Sequence, residues 1–257
     1  MPSVLFEIKD HLAFITLNRP DKFNSFNREM ALLLQEKLDD CKNEDVRCVY
    51  ISGSGKAFSA GQDISELVGD TRIEIKQILS EHYNPIVNRI RKLDKPVVAA
   101  VNGVAAGAGA NIALCCDVVV SAQSASFIQA FSKIGLIPDS GGTFFLPRLV
   151  GWQRASALSM LGDRVSAGDA EKMGMIYKVF TDESFKKESM AIAETLSKMP
   201  TVGIAYTKKL LNMSFHSTLE EQLMEEDVFQ QRAAQTEDHQ EGINAFLEKR
   251  QPVFMGK

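Results

Sequence analysis

The sequence predicts an α/β protein, and three observations support this fold class. Short apolar segments of strand length alternate with segments of helical periodicity over the first two-thirds of the chain. Three segments, Cys48–Ser52, Pro96–Val101 and Val118–Val120, are almost entirely apolar, which is typical of parallel strands covered on both faces. After Pro147 the pattern becomes mostly helical. We therefore expect a largely parallel sheet followed by a helical region.

The segments before the first of these strands predict a hairpin and a helix. Val4–Ile8 and Leu12–Leu17 flank a turn-like tripeptide and predict two antiparallel strands. Asn27 is a candidate N-cap for the helix that follows, because apolar residues recur at helical spacing from position 30 to position 41.

Further helices are predicted in the middle and at the end of the chain. A helical pattern runs from about Thr71 to Leu93, and the small-residue stretch Gly103–Ala110 leads into a short helix that ends near Cys116. Thr201–Met213 and Thr218–Leu247 are the long helical elements of the last quarter.

Composition excludes several classes of protein. The 257 residues carry 29 Lys and Arg against 33 Asp and Glu, so no basic excess is present to bind a nucleic-acid backbone. The longest apolar stretch, Pro96–Val101, is far shorter than the roughly 20 residues that span a membrane. We therefore expect a cytoplasmic protein without a membrane or nucleic-acid partner. The four cysteines lack zinc-site spacing, so no metal site is expected.

Two loops rich in glycine and alanine are candidate binding elements. Lys56–Ile64 and Asn102–Asn111 each follow a predicted strand, and their small side chains let a ligand approach backbone N–H groups. Acyl chemistry needs two such donors that converge on one oxygen. The alternatives are a plain turn for the first loop and tight helix–strand packing for the second. Neither loop has the glycine spacing of a Walker A or a dinucleotide-binding motif.

A third segment, Gly135–Phe145, surrounds one carboxylate with apolar residues. Asp139 follows Pro138 in a run that contains leucine, isoleucine and phenylalanine. A carboxylate removed from water there would have a raised pKa, as a general base near neutral pH needs. The alternative is that Asp139 is the N-cap of the next helix.

Five motifs, in this order and spacing, resemble the enoyl-CoA hydratase/isomerase (crotonase) family. They are Asn18–Pro20, Phe58–Asp63, Ala100–Gly103, Cys116–Asp117 and Gly141–Thr143. The resemblance covers essentially the whole chain, down to the ending Ala245–Arg250.

The resemblance implies a fold and an assembly. It implies a crotonase-like spiral of ββα units over residues 1–195 and a helical C-terminal region over residues 196–257 that mediates trimerisation. Family members assemble as homotrimers that usually pair into hexamers. The implied ligand is an acyl-CoA thioester, and no separate cofactor is expected because coenzyme A is part of the substrate.

The resemblance also assigns roles by position. The backbone N–H groups of Ala60 and Ala108 would form an oxyanion hole for the thioester oxygen. Phe23, Gln62 and Ile64 would line the CoA-binding side, with Lys22 near the phosphates.

Two departures from the family pattern affect the expected reaction. Hydratases of this family use two glutamates, and this sequence has Asn111 at the first position and Phe131 at the second. Neither side chain can move a proton as a carboxylate does. Asp139 stands where some isomerases of the family carry their acidic residue. One carboxylate and an oxyanion hole suit a proton shuttle through an enolate.

The resulting expectation is an acyl-CoA isomerase that shifts a double bond or rearranges a ring epoxide, with Asp139 as general acid/base. Several segments, among them Phe23–Asn27 and Ala130–Asp139, are similar to family members that act on a ring epoxide. Phe131 and Tyr83 would then be walls of an aromatic-sized pocket that also includes Asn111. The alternatives are a broad enoyl-CoA hydratase and a non-catalytic acyl-CoA-binding member of the family.

Overall fold

A six-stranded sheet forms the centre of the protein. The structure, a computed structural model, describes residues 1–69 and 72–257. The strand order is β1-β2-β3-β5-β7-β10, and every neighbouring pair except β1 and β2 is parallel. The strands are β1 (Val4–Lys9), β2 (Leu12–Leu17), β3 (Cys48–Gly53), β5 (Val97–Val101), β7 (Val118–Ala122) and β10 (Lys178–Phe180). The expected hairpin and the three expected apolar strands are confirmed.

A smaller sheet with the order β4-β6-β8-β9 packs beside the first. Its strands are β4 (Ala57–Ser59), β6 (Val104–Ala106), β8 (Ser126–Ile128) and β9 (Arg164–Ser166). The chain alternates between the sheets, since β3, β5 and β7 enter the large sheet and each following strand enters the small one. These repeated units confirm the spiral of ββα units. Strands of three residues are too short for periodicity to reveal. The sequence predicted loops at β4 and β6 and a mostly helical region at β9.

In the described ranges, eleven α-helices surround the sheets. They are α1 (Arg28–Asp40), α2 (Ile75–Gln77), α3 (Asn84–Lys92), α4 (Ala108–Leu114), α5 (Gly142–Val150), α6 (Trp152–Leu161), α7 (Ala167–Lys172), α8 (Asp182–Ser197), α9 (Thr201–Met213), α10 (Leu219–Ala233) and α11 (Glu237–Glu248). The Asn27 side chain accepts a hydrogen bond from the Met30 backbone N–H at 3.0 Å, so the predicted N-cap is confirmed. None of the helices in the described ranges combines the length and the apolar character that a membrane crossing requires.

Two predicted helices differ in the structure. The pattern expected from Thr71 begins at Ile75 instead, and Thr71 itself lies outside the described residues. Between α2 and α3 the helix adopts π geometry over Ile78–Tyr83, followed by Pro85, which has no backbone N–H to donate. The single helix expected over Thr218–Leu247 is wrong, because the Thr236 side chain caps a new helix by accepting from the His239 N–H.

The core lies between the large sheet and the helices that cover it. All five residues of β5 are buried, as expected for a central parallel strand. The C-terminal segment is attached to this core by Arg47 at the start of β3. Its guanidinium donates to the Thr201 hydroxyl at 2.9 Å and to the Phe254 carbonyl oxygen at 2.8 Å.

Candidate active site

A cavity of about 440 Å³ lies at the carboxyl ends of β4, β6 and β8. These three strands are parallel neighbours, so the loops after them meet at one edge of the small sheet. The two glycine–alanine loops and the segment around Phe131 are therefore brought together. Of the predicted site residues, the cavity lining includes Ala60, Gln62, Ile64, Tyr83, Ala108, Phe131 and Asp139.

The rest of the lining is mostly aliphatic. The further apolar side chains are Leu67, Ile75, Ile78, Leu79, Ile134, Leu136 and Ile137. In the part of the chain that the structure describes, Asp139 and Lys133 are the charged lining residues. Such a wall suits an acyl group, and it leaves Asp139 with little water around it.

Asp139 lies in a tight loop just before α5. Ser140 and Gly141 follow with φ of 50° and 77°, so two successive residues adopt the left-handed conformation. Burial raises the pKa of Asp139 to about 6, although a 2.9 Å hydrogen bond donated by the Ser140 hydroxyl acts in the opposite direction. The alternative that Asp139 caps the helix is wrong, because Gly141 occupies the N-cap position of α5 and no side chain caps it.

The two backbone N–H groups expected to form an oxyanion hole differ in their hydrogen bonding within the protein. Ala108 is the first residue of α4, so its N–H belongs to the amides that a helix leaves without an intrahelical acceptor. The Ala60 N–H donates to the Phe23 carbonyl oxygen at 2.9 Å. The loops themselves are in close contact, since a Cβ added at Gly61 would lie 2.8 Å from the Ala106 oxygen and 3.4 Å from the Ala108 nitrogen. The expected packing of small residues also occurs, because a Cβ at Gly109 would lie 2.6 Å from Ser59.

Tyr83 and Gln62 form a polar pair in the lining. The Tyr83 hydroxyl donates to Gln62 Oε1 at 2.7 Å, and the Tyr83 ring packs edge-on against Phe26. Tyr83 is 1% exposed, and burial together with the charges of Asp139 and Glu66 raises its pKa. Tyr83 is therefore a neutral hydroxyl near the carboxylate.

Three predicted site residues lie outside the cavity lining. Lys22 and Phe23 are in the surface turn that includes the short helix Pro20–Lys22, and Phe23 is 54% exposed. Asn111 is 1% exposed, and its Nδ2 donates to the Asp139 carbonyl oxygen at 2.9 Å. The structure thus brings Asn111 to the backbone of the Asp139 loop and not to the cavity surface. Phe131, at the other departure from the family pattern, lies in the cavity wall and is 6% exposed.

Sequence reasoning missed two residues that shape this site. Gln129 is 4% exposed and donates from Nε2 to Asn111 Oδ1 at 2.8 Å. Arg19 pairs with Asp63 at 2.8 Å and so joins the turn before Phe23 to the loop after Ala60. Asp63 and Arg19 both lie in family-like motifs, which was an available signal. Nothing in the sequence marks Gln129.

Within residues 1–69 and 72–257, no group of three or more His, Cys, Asp or Glu side chains is arranged to hold a metal ion. All four cysteines are buried free thiols. Burial raises the pKa of Cys41 to about 12, so this thiol remains protonated at neutral pH.

The fold is that of a known family of enzymes. The chain matches the enoyl-CoA hydratase/isomerase family over residues 7–257, and it belongs to that family.

Among its relatives, the 1,2-epoxyphenylacetyl-CoA isomerase of Escherichia coli is 43% identical over 261 residues, which cover 100% of both chains. A protein of Rhodobacter capsulatus named "Probable enoyl-CoA hydratase" is 40% identical over 99% of this chain and 98% of its own. The crystal structure of an enoyl-CoA hydratase from Polaromonas sp. JS666 superposes with a TM-score of 0.91. It is 33% identical and covers 98% of this chain and 99% of its own.

Proposed function

We propose that this protein is an acyl-CoA isomerase that works through a thioester enolate. The observation that carries the proposal is the carboxylate of Asp139, which lies in an apolar cavity beside the N-terminus of α4 and is the one carboxylate in the described part of the lining. Asp139 removes a proton from the acyl chain and returns it at another carbon. The N–H groups of Ala108 and Ala60 hold the thioester oxygen while it carries negative charge.

For a β,γ-unsaturated thioester, the proposed isomerisation consists of two proton transfers. The Asp139 carboxylate takes a proton from carbon 2, and the electron pair of that C–H bond is delocalised onto the thioester oxygen. The neutral acid then gives the proton to carbon 4, and the double bond forms between carbons 2 and 3. The oxidation state of the substrate does not change, so the reaction needs no redox cofactor, and coenzyme A is part of the substrate.

The pKa of Asp139 supports both halves of this cycle. A general acid/base works best when its pKa is near the working pH. With a pKa of about 6, the group is mostly ionised at neutral pH and still holds a proton more readily than an exposed aspartate.

Isomerisation is favoured over hydration because Asp139 is the one carboxylate that lines the cavity within residues 1–69 and 72–257. Asn111 and Phe131 occupy the positions where hydratases of the family are expected to carry glutamates. The 43% identical relative is named for a ring-epoxide substrate. We therefore propose a 2-(1,2-epoxy-1,2-dihydrophenyl)acetyl-CoA type of acyl group as the natural substrate, with Phe131 and Tyr83 against the ring.

The CoA moiety is proposed to lie over the turn that contains Lys22 and Phe23. Ile64 is 53% exposed and Phe23 is 54% exposed, so both present apolar surface beside the cavity loops. Gln62 connects this side to Tyr83 through their hydrogen bond.

We further propose that residues 196–257 form the contact surface of a homotrimer, which can pair into a hexamer. Large apolar side chains on the last two helices are exposed, among them Leu219 (71%), Leu223 (55%), Met224 (71%), Phe246 (83%) and Leu247 (72%). Large apolar side chains exposed on a monomer gain free energy when a second chain covers them. Light scattering after size exclusion should give three or six times 28.4 kDa. A monomer would contradict this proposal.

The function is tested with three substrates on one preparation. We expect 3-hexenoyl-CoA to be converted to 2-hexenoyl-CoA and the ring epoxide to be rearranged, with little hydration of crotonyl-CoA. Fast hydration of crotonyl-CoA without migration would favour a hydratase. Tight binding of all three esters without turnover would favour a non-catalytic acyl-CoA-binding protein.

A further inference from the structure

Three buried groups connect the two halves of the candidate site. Gln129 Nε2 donates to Asn111 Oδ1 at 2.8 Å, and Asn111 Nδ2 donates to the Asp139 carbonyl oxygen at 2.9 Å. Gln129 and Asn111 are 4% and 1% exposed. We call this arrangement the amide bracket. Because it is shielded from water, its hydrogen bonds have little competition from solvent.

The orientation of the Asn111 amide follows from Gln129. Since Oδ1 accepts from the Gln129 amide, the NH₂ end must face the Asp139 carbonyl oxygen. The same carbonyl oxygen accepts from the Gly142 N–H at 2.8 Å. The backbone of the Asp139 loop is therefore held by two donors, the Asn111 side-chain amide and the Gly142 N–H at the start of α5.

Gly142 shows how closely the Asp139 loop packs against Asn111. A Cβ at Gly142 would overlap Asn111 Nδ2, so only glycine allows this approach. The glycine at this position is therefore required for the hydrogen bond between Asn111 and the loop.

Asn111 lies one turn after Ala108 on α4, and its N–H donates to the Gly107 carbonyl oxygen at 3.1 Å. The amide bracket therefore links the helix that provides one proposed oxyanion donor to the loop that provides the proposed base. The distance between those two groups decides whether proton removal and enolate stabilisation act on the same substrate.

We infer that Asn111 is a positioning residue, oriented by Gln129, which holds the Asp139 loop in register with the first turn of α4. This inference rests on the proposed function. It replaces the expectation that Asn111 binds substrate directly. The amide suits this task better than glutamate, because a carboxylate at the same place would face the Asp139 carbonyl oxygen without a hydrogen to donate.

The test uses Asn111→Ala, Gln129→Leu and the double variant. A misplaced catalytic group can reduce rate by about 10²-fold, so we expect kcat for double-bond migration to fall by roughly that factor in Asn111→Ala. KM should stay within about threefold, because no contact with the substrate is removed. The double variant should be no slower than Asn111→Ala, since the two side chains act as one unit.

Asn212→Ala is the matched control. The Asn212 amide also makes two hydrogen bonds that join two helices. Its Oδ1 accepts from the Arg91 guanidinium and its Nδ2 donates to the Arg91 carbonyl oxygen, so α9 is linked to α3. It lies outside the cavity lining. It should lower stability and leave kcat unchanged.

A second measurement separates this inference from the proposed function. The pKa of the Asp139 carboxyl is followed by ¹³C NMR titration, with the signal assigned by its absence in Asp139→Asn. A loosened loop admits water, so the pKa of Asp139 should fall below about 6 in Asn111→Ala and in Gln129→Leu. In the control Asn212→Ala, the pKa of Asp139 should keep its wild-type value. If wild type fails to migrate the double bond, the proposed function is wrong and the titration still decides the inference. An unchanged pKa, additive losses in the double variant, or a loss confined to KM would overturn it.

Discussion

The Ala60 backbone N–H donates to the Phe23 carbonyl oxygen at 2.9 Å, so a proposed oxyanion donor already has an acceptor within the protein. Phe23 and Asn24 have φ of 49° and 54°, and the Asn24 side chain donates to the Ser54 and Ala57 carbonyl oxygens. The Asn24 side chain thus anchors the turn to the protein interior, while the Phe23 ring is exposed to solvent. Under the proposed function, a thioester oxygen would share this N–H with the Phe23 carbonyl oxygen or displace that oxygen, so the proposed CoA contact and the proposed oxyanion hole would be coupled.

Phe23→Gly tests the proposed contact of the ring with CoA. Glycine adopts positive φ without steric penalty, so this variant should be as stable as wild type or more stable by about 1 kcal/mol. Losing a contact that is the same in ground and transition states should raise KM for acyl-CoA esters and leave kcat unchanged. Lys249→Gly, at another left-handed position far along the chain, is the control and should change stability alone. An unchanged KM in Phe23→Gly would remove the ring from the CoA side.

Ala108→Pro tests the second oxyanion donor. Proline at the first position of a helix is well tolerated and removes only an N–H that has no intrahelical acceptor. Removing one oxyanion donor typically lowers kcat by about 10²–10³-fold, and we expect a loss in that range with an unchanged circular dichroism spectrum. Ala108→Gly keeps the N–H and should retain most of the activity. A fully active proline variant would refute the role of this amide.

The pH dependence of kcat/KM should follow Asp139. Because the ionised carboxylate is the proposed base, activity should rise as pH increases through about 6. The Ser140 hydroxyl donates to the carboxylate and lowers its pKa. Ser140→Ala should therefore move this limb of the profile to higher pH. A flat profile between pH 5 and 7 would show that another group takes the proton.

Asp139→Asn should be more stable than wild type above neutral pH. Burial raises the folded-state pKa from 3.8 to about 6, so the folded protein binds this proton more tightly than the unfolded chain. The contribution of this proton to the free energy of unfolding is fully present below pH 3.8 and is lost as pH rises through about 6. At pH 7.5 the loss is on the order of 3 kcal/mol, and the neutral amide avoids it. Urea unfolding at pH 7.5 and pH 4 checks this. An equal gain at both pH values would contradict the assignment.

Five strands of the large sheet and the limits of α1 could be predicted because apolar runs and a capping residue are local signals, whereas the three-residue β10 lies in the region that the sequence predicted as mostly helical. The small sheet could not, since β4, β6 and β8 have three residues each and are defined by pairing with distant strands. The two glycine–alanine loops were recognisable as candidate binding elements, and the family resemblance pointed to Ala60 and Ala108 within them. The contact between the loops depends on the small sheet.

The same limit applies within the site. The unusual environment of Asp139 was visible in its apolar neighbours. The partner of Asn111 was not, because Gln129 lies 18 residues away and the third member of the amide bracket is a backbone carbonyl. Likewise, the acceptor of the Ala60 N–H is a backbone oxygen in a turn with positive φ. Such contacts depend on tertiary placement, and residue type does not encode them.

NMR of 3-hexenoyl-CoA in D₂O, with wild type and with Asp139→Asn, shows whether Asp139 moves the proton. We expect wild type to move the double bond to the 2-position and to exchange the carbon 2 proton. Asp139→Asn should lose about 10²–10⁴-fold in both rates, as expected for the loss of a general acid/base. Binding of the ester, measured by calorimetry, should persist in the variant. Migration and exchange at the wild-type rate in Asp139→Asn would show that Asp139 is not the general acid/base.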